Sequence, residues 1–201
     1  MNELSRARGM DVEAASRRAA DRVAARAARA GLVDVAYAMA DTPIGTVVVA
    51  ATRRGLVRLA FPEEGLEHVL EEIAEALSPR VLENPRMTDP VRRELDAYFA
   101  GKRRAFAAGV DWALTSGGFS RRVLEETSRI PFGSVSTYRD VAKRAGSPRA
   151  ARAAGNALHD NPVPIVVPCH RVVPTTGGIG KYGGNEWRKA FLLRLEGALP
   201  R

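Results

Sequence analysis

The chain has 201 residues, 45% of them hydrophobic, a formal net charge of +8 and a single cysteine. This composition suits one large folded domain or two small ones and excludes a disordered tail. One thiol also excludes an internal disulfide and a cysteine-rich zinc site, and no apolar run of about 18 residues suits a membrane helix.

The first residues lack the apolar stretch of a signal peptide, so the expected setting is reducing and cytoplasmic. Charge is divided unevenly. Residues 1–31 carry 7 arginines and 4 acids, and residues 32–115 carry 10 Lys and Arg against 13 acids. Residues 116–201 carry 14 Lys and Arg against 6 acids, so a polyanion is expected to meet this last part. A basic, solvated face is the plainer alternative.

Residues 11–30 are rich in Ala and Arg and favour a helix by propensity. Their large aliphatics are Val12 and Val23, which predicts a peripheral helix or arm, with Met10 as an alternative start. "VAYAMA" reads as a strand. "TVVVAATRRGLVRLAF" reads as two more, turned at Arg53, Arg54 and Gly55. "EEGLEHVLEEIAEAL" places Leu66, Leu70, Ile73 and Leu77 on one helical face. "TDPVRRELDAYFAG" predicts a helix capped at Thr88, with Pro90 in its first turn, Leu95 and Phe99 inward and Gly101 as its stop. Residues 32–110 thus form a small acidic α+β unit with a supporting role.

"VDWALTSGG" reads as a linker. "FSRRVLEETSRI" predicts a helix with Phe119, Val123, Thr127 and Ile130 inward, closed by Pro131. In "STYRDVAKRAGSPRAARAAGNALHDNP", Thr137 and Asp140 form a capping box, and Val141, Ala142 and Ala145 face inward. Gly146 ends that helix. Ser147 then caps a second one, with Pro148 first and Arg149 and Arg152 on one face. Two short helices around a glycine turn match a helix-turn-helix, although many helical hairpins never meet DNA. Ala150, Ala151, Ala153, Ala154 and Ala157 make the second helix small enough for close backbone approach. Its long polar side chains are confined to the arginines and Asn156, which suits the minor groove better than base reading in the major groove. "EWRKAFLLRLEG" predicts a last helix burying Trp187, Phe191 and Leu195, with Gly197 at its end.

The lone cysteine lies in "NPVPIVVPCHRVV". It can be a small buried hydrophobe, an incidental surface thiol or a nucleophile. "PIVV" reads as a buried strand, and Pro162, Pro164 and Pro168 stiffen the segment. His170, Arg171 and the basic surroundings favour thiolate over thiol. Neighbours on an extended segment face opposite sides, so His170 needs a local turn or a bridging water to serve Cys169 as a base. A carboxylate is wanted on the other ring nitrogen, and the C-terminal helix offers Glu196.

Taken together, "NPVPIVVPCHRVV", "GGIGKYGG", "WRKAFLLRLEG" and the upstream "TYRDVAKRAGSPRAARAAGNAL" resemble the O6-alkylguanine-DNA alkyltransferases (methylated-DNA–protein-cysteine methyltransferases). The match is specific over residues 116–197 and looser over 32–110, and it does not reach 1–31. It implies an α+β fold with a small N-terminal ribonuclease-H-like α+β domain. A mainly helical C-terminal domain with the helix-turn-helix and the active-site cysteine follows. The expected segments are 1–31 (helical extension), 32–115 (support domain and linker) and 116–201 (DNA-binding and catalytic domain).

The resemblance also implies roles. Cys169 accepts the alkyl group, His170 deprotonates it through a water, Glu196 holds His170, and Asn161 braces the turn. Tyr138 donates to the departing guanine and also meets DNA. Arg152 enters the duplex, with Arg149, Ala151 and Asn156 on the DNA side. Val172, Ile179, Tyr182, Gly183 and Pro164 line the guanine pocket, where Gly183 departs from members that have serine. The implied partner is double-stranded DNA carrying O6-alkylguanine, with O4-alkylthymine as a second substrate, repaired once per molecule after base flipping. No cofactor, metal or membrane is implied. The acting unit is a monomer, with cooperative assembly on DNA as an alternative. Three rivals stand beside this reading. A non-catalytic alkyltransferase-like binder would lack Cys169, a DNA-binding regulator would not use the thiol, and a cysteine hydrolase would need an oxyanion hole.

Overall fold

The computed structural model describes residues 15, 16, 18–20 and 22–200, so Met10 and Val12 lie outside the described residues. Helix α1 runs through residues 22–29 and docks by Ala24, while Val23 stays 64% exposed. Over these residues the helix is peripheral, as expected.

Strands β1 (Val35–Ala40), β2 (Val47–Thr52) and β3 (Gly55–Ala60) form an antiparallel meander as expected. At the turn, Gly55 has φ +137, and a Cβ there would fall 2.2 Å from the Gly109 carbonyl oxygen, so only glycine fits. A fourth strand, β4 (Val81–Glu83), pairs parallel with β1 and gives the order β3-β2-β1-β4. Three residues are too few to show an alternating pattern in sequence.

Alternate residues of β2 face opposite layers. Val48 and Ala50 pack with Val69 and Ile73 of α2 (Leu66–Ala76). Val47 and Val49 pack with Val91, Leu95 and Tyr98 of α3 (Pro85–Phe99). Two expectations shift here. The buried seam of α2 is Val69 and Ile73, with Leu66 38% exposed. Helix α3 starts at Pro85 instead of near Thr88, so Pro90 lies within it and the Thr88 hydroxyl donates to the Pro85 carbonyl.

The second unit begins with α4 (Phe119–Ser128), which buries Val123, Leu124 and Thr127. Helix α5 (Tyr138–Arg144) is capped by Thr137, whose hydroxyl oxygen accepts from the Asp140 N–H at 3.1 Å. Gly146 at φ +84 ends it. Helix α6 starts later than expected, at Ala151, and runs to His159, so Ser147, Pro148 and Arg149 belong to the turn. Strands β5 (Ser136–Thr137) and β6 (Val172–Val173) pair in parallel. That pairing ties the start of α5 to the segment just after the cysteine.

Helix α7 (Glu186–Leu195) buries Arg188, Lys189, Leu192 and Leu193. Trp187, expected inside, is 52% exposed, because the inward stripe is one position out of register with it. One apolar core joins the two units, with Leu56, Leu59 and Leu95 packed among residues such as Val123, Ile165 and Leu192.

Candidate active site

The proline-rich segment is a pair of tight turns, not the strand expected over Pro164–Val167. The Val166 N–H donates to the Pro164 carbonyl at 2.9 Å and the Cys169 N–H to the Val167 carbonyl at 2.8 Å. Each closes a three-residue turn. Ile165, at the centre of the first, has φ +73, a conformation that is strained for a β-branched residue. Proline rings fix the φ angles on either side of it, and Asn161 clamps the whole. Its amide donates to the Val167 carbonyl at 2.9 Å, and its oxygen accepts from the Val163 N–H at 3.1 Å. The support unit adds a strut, for the Leu59 N–H of edge strand β3 donates to the Pro162 carbonyl at 2.8 Å.

Cys169, His170 and Arg171 form one short 3-10 turn, all buried. Adjacent side chains therefore do not alternate as they would on a strand, which supplies the local turn that His170 needed. His170 Nε2 lies 2.9 Å from Glu196 Oε1. A carboxylate there accepts, so Nε2 carries the proton and Nδ1 is the basic nitrogen. Nδ1 is buried with no protein hydrogen-bond partner among the described residues. Burial pushes the His170 pKa down, against the pull of Glu196, so the ring rests neutral.

Glu196 caps the end of α7 and is 5% exposed. Burial alone would raise its pKa. Hydrogen bonds from His170 and Arg171 outweigh that and hold it at about 2. Arg171 grips both oxygens, with Nε at 2.8 Å and Nη2 at 2.9 Å, and its Nη1 donates to the Ile130 carbonyl.

The Cys169 thiol is pushed up by burial, which Asn161, Lys189 and Tyr182 only partly counter. This corrects the expected preference for thiolate. At rest the group is a protected thiol that needs a base at the moment of reaction.

Cys169 opens onto a cavity of about 1080 Å³. Among the expected site residues, Asn161, Tyr138, Arg152, Ala151, Asn156, Tyr182, Gly183 and Pro164 line it together with Cys169. Val172, Ile179 and Arg149 do not, and Val172 is fully buried. Arg149 and Arg152 are exposed and make no ion pair among the described residues. The Tyr138 hydroxyl is raised by burial and by the cysteine beside it, so it stays protonated.

Two residues of the site, Tyr98 and Lys189, escaped the sequence reading, and so did the part Arg171 plays. Arg171 holds Glu196, and Tyr98 of α3 donates its hydroxyl to Glu196 Oε1 at 2.7 Å. Lys189 is 1% exposed, donates to the Val172 carbonyl at 2.6 Å and is lowered to about 8 by burial. A signal existed for Lys189. With Leu192, Leu193 and Glu196 it follows the three-, four- and seven-residue spacing of one helical face.

Two family models match the chain. Residues 35–111 match "6-O-methylguanine DNA methyltransferase, ribonuclease-like domain" and residues 118–198 match "6-O-methylguanine DNA methyltransferase, DNA binding domain". The methylated-DNA–protein-cysteine methyltransferase of Methanosarcina acetivorans is 35% identical over 162 residues, which are 81% of this chain and 98% of that protein. The crystal structure of the Mycobacterium tuberculosis O6-methylguanine methyltransferase superposes with a TM-score of 0.70 at 34% identity, covering 81% of this chain and 93% of that one. A structure of the same enzyme in complex with DNA superposes with a TM-score of 0.69 at 33% identity, covering 81% and 92%.

Proposed function

The chain belongs to the 6-O-methylguanine DNA methyltransferase family, and from that premise we propose that Cys169 takes the alkyl group from O6-alkylguanine in duplex DNA. It is a DNA-repair methyltransferase that restores guanine by direct transfer to cysteine. The observation that carries the assignment to Cys169 is the buried 3-10 turn that sets a thiol beside a neutral histidine held by Glu196, at the wall of an open cavity.

The reaction needs an extruded base, because the O6-alkyl carbon is hidden in the helical stack. Arg152 on the exposed face of α6 would fill the gap left behind, with Ala151 and Asn156 against the backbone and Arg149 adding charge from the preceding turn. Cys169 loses its proton to His170 Nδ1, relayed by a water. The sulfur lone pair then forms the S–C bond as the C–O6 bond breaks and its electrons pass to the guanine. Tyr138 donates to the leaving base. The imidazolium formed is stabilised by Glu196, whose charge Arg171 already partly balances.

Tyr182, Gly183 and Pro164 would hold the base. Val172 acts from behind them, through its carbonyl to Lys189, and Ile179 lies half-buried in the glycine-rich loop outside the cavity lining. The thioether product is no leaving group and the chain has no second thiol, so each molecule reacts once. The division of labour follows the segments 32–115 as support and 116–201 as the reacting and DNA-binding part, with 1–31 an added arm. A cytoplasmic setting, where the thiol stays reduced, fits this chemistry. The same pocket would also take O4-alkylthymine.

Intact mass after incubation with a duplex carrying O6-methylguanine tests this. One added methyl, mapped to Cys169 and lost in Cys169→Ala, is the expected result. An unchanged mass, or turnover beyond one equivalent, would sink it.

A further inference from the structure

Glu196 draws hydrogen bonds from both units of the chain. His170 Nε2, Arg171 Nη2 and the Tyr98 hydroxyl meet Oε1 at 2.9, 2.9 and 2.7 Å. Arg171 Nε and the Gly133 N–H meet Oε2 at 2.8 and 3.4 Å. Tyr98 is the donor that comes from the support unit. It is fully buried, and its ring packs against Phe99, Phe106 and Phe132 with centroids 5.2, 5.4 and 6.2 Å away. The packed ring leaves the hydroxyl little choice of direction.

We propose that Tyr98 is a positioning residue of the transfer reaction: its hydroxyl fixes the Glu196 carboxylate and takes up part of its charge, which keeps His170 free to accept the cysteine proton. The inference rests on the reading of Cys169 as acceptor and His170 as base. A carboxylate holds an imidazolium more tightly the more of its charge is unshared. Each further donor spreads that charge, and a neutral donor does so without adding a cation beside His170. Tyr98 cannot itself ionise in the working range, because burial and the adjacent Glu196 carboxylate push its hydroxyl far up.

The charged groups acting on His170 are Glu196, Arg171 and Lys189, and those acting on Tyr98 are Glu196 and Arg171. All of them remain in Tyr98→Phe, which also keeps the aromatic packing. Loss of the hydroxyl alone makes Glu196 more basic, and His170 then keeps its proton to higher pH.

The test is single-turnover methyl transfer from an O6-methylguanine duplex, for wild type and Tyr98→Phe, from mildly acidic to mildly alkaline pH. The acidic limb of the rate is expected to move up by about half a pH unit or more in the variant, with DNA binding unchanged. A limb that stays in place overturns the inference even if the variant is slower or melts earlier, since loosened packing alone lowers the rate at every pH. A wild type that transfers nothing fails the parent reading and this one with it. Normal transfer with an unmoved limb fails this one alone. If Tyr98→Phe does not fold, NMR of the wild type with labelled tyrosine decides. The Tyr98 hydroxyl proton should exchange slowly and shift as His170 titrates, and a fast-exchanging or unmoved proton overturns the proposal.

Discussion

The two sides of Cys169 are built on opposite terms. Behind it, His170, Arg171, Tyr98 and Glu196 are buried, and one carboxylate accepts from four residues. In front lies an open cavity, whose Arg152, Asn156 and Gly183 are exposed. Proton movement profits from groups already aligned in a dry setting, where each hydrogen bond counts for more. Capture of a long polyanion asks instead for exposed charge that can adjust to a backbone. The chain separates these demands by a single 3-10 turn.

The largest test of that division is Glu196→Gln. It leaves Arg171 buried without its counter-charge, and breaking such a pair costs about 3–5 kcal/mol. It also removes the negative charge that stabilises the His170 imidazolium, so transfer slows by about a hundredfold or more. Chemical denaturation and single-turnover rates measure the two losses, while affinity for undamaged duplex stays as in wild type. An equal loss of DNA affinity would break the division.

The same carboxylate predicts the acid limit of the fold. Its folded pKa of about 2 lies below the ordinary 4.5. Stability from this group is therefore present above 4.5 and is lost as pH falls from there toward 2. Wild type should lose stability steeply in that window, and Glu196→Gln should show a flatter profile.

On the open side, Arg152→Ala should leave the melting temperature within about 1 °C, because an exposed, unpaired side chain contributes little to the fold. Repair of duplex substrate falls about tenfold or more, because the gap left by the extruded base is no longer filled. Reaction with free O6-benzylguanine, which needs no extrusion, changes by less than about twofold. Equal losses on both substrates would place Arg152 in the chemistry instead of in the duplex.

The sequence made some residues of the buried side far more legible than others. Cys169, His170 and Glu196 were readable because their types are chemically specific. The capping box at Thr137 and the stop at Gly146 marked α5 by local rules alone. What stayed hidden depended on contacts remote in sequence. Tyr98 reaches Glu196 across 98 positions, and nothing in "ELDAYFAG" marks that tyrosine as more than a core aromatic. Arg171 was legible only as positive charge beside Cys169, and Lys189 carries no mark of its own, until the register of α7 and the 3-10 turn is known. The strand expected at "PIVV" failed because the apolar run is β-rich by composition. The prolines and the Asn161 clamp impose turns that propensity does not see. The start of α6 failed for a related reason: Ser147 and Pro148 carry start signals, but the chain uses them for the turn before the helix.

The smallest expected effect lies at Gly155, inside α6 on the open side. Glycine in a helix interior costs about 0.5–1 kcal/mol relative to alanine. A Cβ at this position would meet the Tyr138 ring at 3.8 Å, an ordinary contact that displaces nothing. Gly155→Ala should therefore raise the melting temperature by about 1–4 °C. Reaction with free O6-benzylguanine should stay within about twofold, because the added methyl meets the Tyr138 ring without displacing it. Duplex repair should also stay within about twofold, since Arg152 and Asn156 keep their places on the same helix. A duplex-specific loss beyond that would mean that the DNA backbone approaches α6 at Gly155 itself. The small residues of this helix would then be part of the binding surface rather than a consequence of its packing on α5.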